Sequence, residues 1–366
     1  MKIAIDATNI KAGGGLTHLK NLVKNEENEL LLLVGGLWLN KINDQPNIKK
    51  LIFASDFQSI LKQELFKLFK LKSILKQSDI AFIPGGTFFS KKVPYVSMSQ
   101  NMLVFEDEER NRFPKSLTWM RYKALERLQV RSFKNSKGII YISNYAKDYI
   151  ENKYPSLKEK PSTVIYHGIS TDFRQKPKIQ KPINTYSKEN PFIITYISIV
   201  NFYKHQWNII EAVKTLVEQG YPIKLELIGP MYEPVRQKLE ESLIGTDNFV
   251  EYKGKVPYEE ISNSYKSADL FVFASTCENM PNILVEAMSA GLPILCSNYG
   301  PMPEVLKDAG KYMNPLNVVD ICKNLKLLLD STEIRQKISE KAYIYSQDFS
   351  WNTTANQTFN FIKSLA

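Results

Sequence analysis

Apolar positions along the 366-residue chain fall into two alternating arrangements. Short runs such as KIAIDA (2–7), ELLLLVG (29–35) and GIIYIS (138–143), with those at 50–55, 80–84 and 95–99, are apolar almost throughout. That pattern predicts strands of a parallel sheet covered on both faces. Between them apolar residues recur at helical spacing, which predicts helices over about 16–25, 57–77 and 115–134. The rhythm breaks at 174–191, RQKPKIQKPINTYSKENP, a polar stretch with three prolines that reads as an interdomain linker. It restarts with strands at 192–198, 224–229, 250–252, 270–274 and 293–297. The helices there are expected at 206–219, 233–243, 281–290, 317–329 and 332–346; Ile209, Ile210, Val213 and Val217 share one face of the first. Two successive α/β runs predict two doubly wound, Rossmann-like domains, 1–173 and 192–350, and a terminal helix in 351–366.

Composition adds bounds. Hydrophobic residues make up 43% and charged residues 23%, which excludes a disordered or collagen-like chain. No apolar run is long enough for a spanning helix. The first residues lack the long apolar region of a secretory signal, and three cysteines without a C-x-x-C pair argue against a disulfide framework or a zinc site. A cytoplasmic protein is the expectation. The net charge of +10 is divided unevenly: 1–188 hold 32 Lys and Arg against 17 Asp and Glu, whereas 189–366 hold 16 against 21. A basic first half suits an anionic membrane, a phosphorylated substrate or nucleic acid, and a lysine-rich genome alone would not explain the asymmetry.

Two segments could carry chemistry. Gly13-Gly14-Gly15 lies between a strand and a helix, where backbone amides can approach an anion, although neither the G-x-G-x-x-G nor the P-loop spacing is met. The second is TCENMPNILVEA (276–287), which follows a strand and opens a helix at Pro281. Glu278 is expected on the loop at the carboxyl edge of the sheet and Glu286 within the helix. Amides near Asn279 and the helix dipole favour a phosphate there, and two flanking carboxylates can each hold a polyol, ribose on one side and sugar on the other. Without that phosphate context the pair would read as the acid and base of a glycosidase. His18, His167 and His205 are not spaced as metal ligands, and no D-x-D motif occurs.

Glu278 and Glu286 in CENMPNILVEAMSAGLPILCSN resemble the E-x7-E signature of retaining GT-B glycosyltransferases of family 4 (glycosyltransferase group 1). GKVPYEEISNSYKSADLFVFAS before it, NYGPMPEVL after it, and ISNYAKDYI and VIYHGIS late in the first domain are similar to the same family. The resemblance implies a GT-B architecture, two Rossmann-like domains facing across a cleft, with the C-terminal helix crossing back to the first. It implies that Glu286 holds the donor ribose, that Glu278 contacts the donor sugar, and that Lys204 neutralises the departing diphosphate. Asn279, Met280 and Pro281 would meet phosphate and sugar. Gly229, Lys255 and Val256 would line the base pocket, and Gly14 and Gly15 would close over the donor. His18, Gln100 and Asn101 are the expected acceptor-side residues. No cofactor or catalytic metal is implied.

The implied reaction is glycosyl transfer, with retention, from a UDP-, GDP- or dTDP-linked sugar to a lipid-linked saccharide in lipopolysaccharide or other polysaccharide synthesis. The implied place is the cytoplasmic face of the inner membrane, as a peripheral protein. The basic amphipathic pattern at 57–77 and the basic, aromatic one at 115–134 suit an anionic surface. The sequence departs from the family at three points. Ser198-Ile199-Val200-Asn201 lacks the usual Arg before the Lys, Ser99-Gln100-Asn101 replaces a His-Asp pair, and His167-Gly168 stands where Asn-Gly is usual. A GT-B nucleotide-sugar epimerase is the alternative. A non-catalytic nucleic-acid-binding protein is disfavoured, since Arg is scarce beside Lys and no nucleic-acid motif occurs.

Overall fold

The computed structural model describes the chain apart from residues 11–12, 25, 27–28 and 54–69 and the side chains of Tyr258 and Glu259. Most of the helix expected at 57–77, with Lys62 and Lys67, therefore lies outside the described residues; its end forms a short helix at Lys72–Leu75.

The chain divides into two compact units. The first is Met1–Gly168 with Ser350–Ala366, and the second is Ile169–Phe349. In the first unit the strands are β1 (Lys2–Asp6), β2 (Leu30–Gly35), β3 (Ile48–Ile52), β4 (Ile80–Pro84), β5 (Tyr95–Met98), β6 (Gly138–Tyr141) and β7 (Ser162–Val164). They pair in parallel in the order β3-β2-β1-β4-β5-β6-β7. The helices are α1 (Gly13–Lys24), α2 (Lys72–Leu75), α3 (Asp107–Arg110), α4 (Leu117–Asn135) and α5 (Asn144–Lys153). The second unit repeats the plan with β8 (Phe192–Ile197), β9 (Ile223–Ile228), β10 (Val250–Gly254), β11 (Leu270–Phe273), β12 (Ile294–Ser297) and β13 (Lys311–Met313). Their order is β10-β9-β8-β11-β12-β13, again all parallel. Its helices are α6 (Gln206–Glu218), α7 (Arg236–Leu243), α8 (Tyr258–Ser267), α9 (Asn282–Ser289), α10 (Met302–Leu306), α11 (Val318–Asp330) and α12 (Thr332–Ser346). Each unit is thus Rossmann-like, and each sheet reverses its strand order once, between β1 and β4 and between β8 and β11.

The apolar runs became these strands because helices cover both sheet faces: Ile3, Ala4 and Ile5 of β1 and Leu270 through Phe273 of β11 are fully buried. The two edge strands β7 and β13 were not anticipated. Each has three residues, STV and KYM, too short for an apolar run to stand out. The three glycines also differ from expectation. They form the first turn of α1 rather than a loop, continuous with the stripe Leu16, Leu19, Leu22 and Val23 that faces the core.

The expected linker at 174–191 is not a free connection. Arg335 of α12 is completely buried and its guanidinium needs acceptors. It finds them in the carbonyls of Leu328, Leu329 and Lys181 and in the side chain of Gln180, over the ring of Phe192. Further hydrogen bonds join Gln175 N–H to the Ser289 carbonyl, Lys178 to the Ala268 carbonyl and the Tyr186 hydroxyl to Asp269. The polar residues that looked like linker chemistry therefore satisfy buried groups of the second unit, and the boundary falls at Gly168 and Ile169. After the second unit, α13 (Trp351–Lys363) packs on α1 within the first. Gly168 lies so close to this returning segment that a Cβ there would sit 2.2 Å from the Trp351 nitrogen. A larger residue could not follow His167.

Candidate active site

Ligands of open α/β sheets bind beyond the carboxyl ends of the strands, at the point where strand order reverses. In the second unit that point lies between β8 and β11. The loop after β8 ends in a single 3-10 turn at Phe202–Lys204, capped by the Asn201 side chain, which accepts from Phe202 N–H at 2.7 Å. His205 then takes a left-handed conformation, φ 50° and ψ 35°, uncommon for a non-glycine residue. Its Nε2 lies 3.0 Å from the Thr276 hydroxyl, and Thr276 N–H donates to the Tyr203 carbonyl at 2.8 Å. These contacts join the loop after β8 to the loop after β11.

The junction brings Lys204 to Glu278, with Nζ in an ion pair with Oε1. Lys204 is 3% exposed. Its ammonium lies 4.9 Å from the centre of the Phe273 ring and 5.3 Å from that of Tyr203, and its carbonyl accepts from the Tyr196 hydroxyl at 2.6 Å. Burial, then the negative charge of Glu278, pushes the Tyr196 hydroxyl well above its usual range, so it stays protonated as a donor. The same two causes raise the Cys296 thiol. Two residues far apart in sequence thus form a cation–carboxylate pair over the switch point.

From Glu278 the chain passes through the buried Asn279 and Met280 to Pro281, and α9 begins at Asn282 with Pro281 in the cap position. Glu286, in the second turn of α9, is 7% exposed. The Tyr265 hydroxyl of α8 donates to its Oε2 at 3.0 Å. Burial raises the Glu286 carboxyl to about 7, with the Tyr265 hydrogen bond opposing in part.

The remaining donor-side candidates also lie at carboxyl ends. Gly229 follows β9, and its N–H donates to the Gly254 carbonyl at 2.8 Å, which places it beside Lys255 and Val256 beyond β10. Gly229 has φ 141°, and a Cβ there would meet the Ser198 carbonyl oxygen at 2.2 Å. Gly229→Ala should therefore destabilise the protein by about 2–3 kcal/mol, from backbone strain and the displaced β8 end. Urea unfolding of the variant against wild type checks this; a change within error would mean that the close approach is readily relieved.

In the first unit the expected residues separate. His18 is fully buried on α1, with Nδ1 3.5 Å from Gln100 Nε2. Its ring stacks on His167 at 4.7 Å, and both rings tilt against Trp351. Burial, then the charge of His167, lowers His18 well below its ordinary value, so the ring is neutral at neutral pH. Gly15 borders this group, since a Cβ there would lie 3.6 Å from Gln100 Oε1; Gly14 is exposed. Asn101 does not join it: its side-chain Oδ1 caps the turn at Met102–Val104 by accepting from Leu103 N–H at 3.0 Å. Asp6, at the end of β1, is a buried carboxylate the sequence reading passed over. Its Oδ1 accepts from Thr8 N–H and hydroxyl, while Oδ2 has no hydrogen-bond partner among the described residues. His205 follows Lys204 and was open to a donor-site role on that ground, but its pairing with Thr276 and that of Tyr265 with Glu286 were not legible, because only the fold creates them.

Residues 177–345 match the family described as glycosyl transferases group 1. O-antigen chain mannosyltransferase B of Escherichia coli is 26% identical over 250 residues, which cover 67% of this chain and 65% of that protein. The chain thus spans just under two thirds of the length of this relative. Among solved structures, sucrose-phosphate synthase from Thermosynechococcus elongatus superposes with a TM-score of 0.77 at 13% identity, covering 100% of this chain and 99% of that one. Anabaena HepE, in complex with UDP and glucose, gives 0.74 at 18% identity, with both chains covered completely. At those identities the likeness is one of fold, two Rossmann-like units of the GT-B type. The residues that match the group 1 family model all lie within the second unit.

Proposed function

We propose that this protein is a group 1 glycosyltransferase and that it transfers a glycosyl unit from a nucleotide sugar to an acceptor hydroxyl with retention of anomeric configuration. The observation that carries the reading is the Lys204–Glu278 pair, set over the strand-order reversal of the second sheet and followed by the loop into α9. In the donor complex the diphosphate lies against Lys204 and the amides before α9, where cation and helix dipole stabilise negative charge. The Glu286 carboxylate accepts from the ribose hydroxyls, the sugar hydroxyls bond to Glu278, and the base lies by Gly229, Lys255 and Val256. Asn279, Met280 and Pro281 shape the phosphate-to-sugar turn.

Bond breaking runs from the anomeric carbon to the diphosphate oxygen, and the acceptor oxygen attaches to the same face. The acceptor proton passes to the departing phosphate oxygen, so charge and atoms balance without a metal or a cofactor. A thermal-shift screen of UDP-, GDP- and dTDP-linked sugars tests the donor assignment. One nucleotide series should stabilise the protein; no shift with any of them sinks it. Product anomer analysis by NMR then tests retention.

We further propose that the acceptor is a lipid-linked saccharide of polysaccharide or lipopolysaccharide synthesis, met at an anionic cytoplasmic membrane surface. No helix among the described residues is long and apolar enough to cross a membrane. At the start of α4, Leu117 and Met120 are 85% and 63% exposed beside Lys115, Arg121 and Lys123, an apolar-with-basic edge suited to a headgroup region. Replacing Leu117 and Met120 by Glu should reduce flotation with anionic vesicles roughly tenfold, from lost burial and added repulsion. Turnover of a water-soluble acceptor should persist; undiminished flotation would reject the docking edge.

A further inference from the structure

A cavity of about 450 Å³ lies in the first unit, and no residue discussed for the donor is among those that line it. It is lined by Lys72, Lys76, Lys91, Lys92 and Arg131, with Phe89, Ser73, Ser90 and Asn135. Among the described residues, five cations and no carboxylate line it. Among the described residues none of the five makes an ion pair.

The cations are positioned rather than scattered. Arg131 lies over the Phe89 ring at 4.2 Å and Lys72 approaches the same ring at 5.3 Å. Phe89 is anchored through its neighbour. Phe88 is buried against Tyr95, its N–H donates to the Ser132 hydroxyl, and the Tyr95 hydroxyl donates to both the Phe88 and Ser132 carbonyls. The loop and the last turns of α4 therefore hold together, and Arg131 sits one residue from that joint.

Position within the unit separates this cavity from acceptor chemistry. Its residues come from α2, from the segment entering β5 and from the end of α4, which leads to β6. Those segments feed the amino ends of β4, β5 and β6. Asp6, by contrast, is the last residue of β1, and Gln100 lies beyond the carboxyl end of β5.

We propose that this cavity is a second anion site, one that binds a phosphate ester or diphosphate carrying at least two negative charges. The reasons are charge and shape. Five like charges held within one concavity repel one another, and a multivalent anion relieves that repulsion. The Arg131 guanidinium presents paired N–H groups for bidentate phosphate binding, and the lysines supply ammonium donors. Phe89 gives the cavity an apolar wall that a bare inorganic ion would not need, which suits a phosphate attached to an organic group. That group belongs either to a phospholipid headgroup or to a soluble phosphorylated metabolite. The proposal does not depend on the donor reading.

Inorganic pyrophosphate serves as the probe, titrated calorimetrically into the full chain at low salt. Because pyrophosphate could also occupy the proposed donor site, the Lys204→Ala variant is titrated as well. Binding should persist in Lys204→Ala and weaken at least roughly tenfold when Lys91→Glu and Lys92→Glu are added, since both side chains are exposed and each reverses a charge. It should also weaken as salt is raised. Arg131→Lys keeps the charge but loses the paired donors, and should weaken binding less than Arg131→Gln. Absence of binding in Lys204→Ala, or equal affinity with and without the two lysine reversals, overturns the site. Flotation with phosphatidic acid vesicles separates the sources. Flotation that pyrophosphate competes away, and that the lysine reversals abolish, assigns the cavity to a headgroup. Pyrophosphate binding with flotation indifferent to both assigns it to a soluble phosphate ester.

Discussion

Lys204→Ala should lower turnover by about 10²–10³-fold and weaken nucleoside diphosphate binding at the same time. The expectation follows from the loop after β8. The residues before Lys204, Ser198 to Asn201, contain no cation, and Asn201 is occupied in capping the turn. The developing diphosphate charge therefore falls on Lys204 and the amides leading into α9. Removing the ammonium also leaves the Glu278 carboxylate facing the ligand without its partner, which adds repulsion to the loss of attraction. Lys204→Arg should recover part of the activity, because charge returns while donor geometry changes.

Glu278→Ala should separate the effects, cutting turnover while sparing or raising nucleoside diphosphate affinity, since it releases Lys204 from its pair. Single-turnover rates and calorimetric affinities for the three variants make the comparison. If Lys204→Ala retains full turnover, or if Glu278→Ala loses diphosphate affinity as severely as Lys204→Ala does, the assignment of charge in this site is wrong.

Much of the architecture behind that prediction was legible in the sequence, and the reasons are physical. Strands buried on both faces leave nearly unbroken apolar runs, so β4 at Ile80–Pro84 reads directly from the chain. The α9 start was marked by proline chemistry, and Glu278 and Glu286 by their places on either side of it. Short-range signals failed where long-range satisfaction decided the outcome. Residues 174–191 looked like linker because they are polar, carry three prolines and show no apolar period, yet buried Arg335, 0% exposed, binds two of them from 154 and 155 residues away.

His205 gave no sign of a left-handed conformation, since the strain is imposed by joining two loops. Tyr265 lies 21 residues from Glu286, with a helix end and a strand between them, so no periodicity connects the two. The same holds for Asn101. Its side chain is expected on the acceptor side by resemblance, and the capping bond that it accepts from Leu103 N–H, two residues on, was not read from the sequence.

Glu286→Gln should produce opposite effects on the empty protein and on its complex. Burial holds the carboxyl at about 7 in the folded chain, against 4.5 as its ordinary value. The native state thus binds more protons than the unfolded state between those two values. The stabilising contribution of the protonated form is complete below about pH 4.5 and is lost as pH rises through about 7. Its full extent is on the order of 3 kcal/mol. Glutamine has the shape of the neutral acid and can still accept from the Tyr265 hydroxyl. The variant should therefore flatten this part of the stability curve and be more stable than wild type at pH 8.

Ligand binding moves the other way. Ribose hydroxyls donate to the ionised carboxylate, so nucleotide binding near pH 6 should release a proton, detectable as a dependence of calorimetric heat on buffer ionisation enthalpy. Replacing the charged acceptor by a neutral one should cost about 1.5–3 kcal/mol, or roughly 10- to 150-fold in nucleotide affinity. Denaturant unfolding of both proteins from pH 4.5 to pH 8, beside nucleotide titrations, measures both halves. Parallel stability curves would show that Glu286 carries no burial penalty. Unchanged nucleotide affinity would remove it from the ribose.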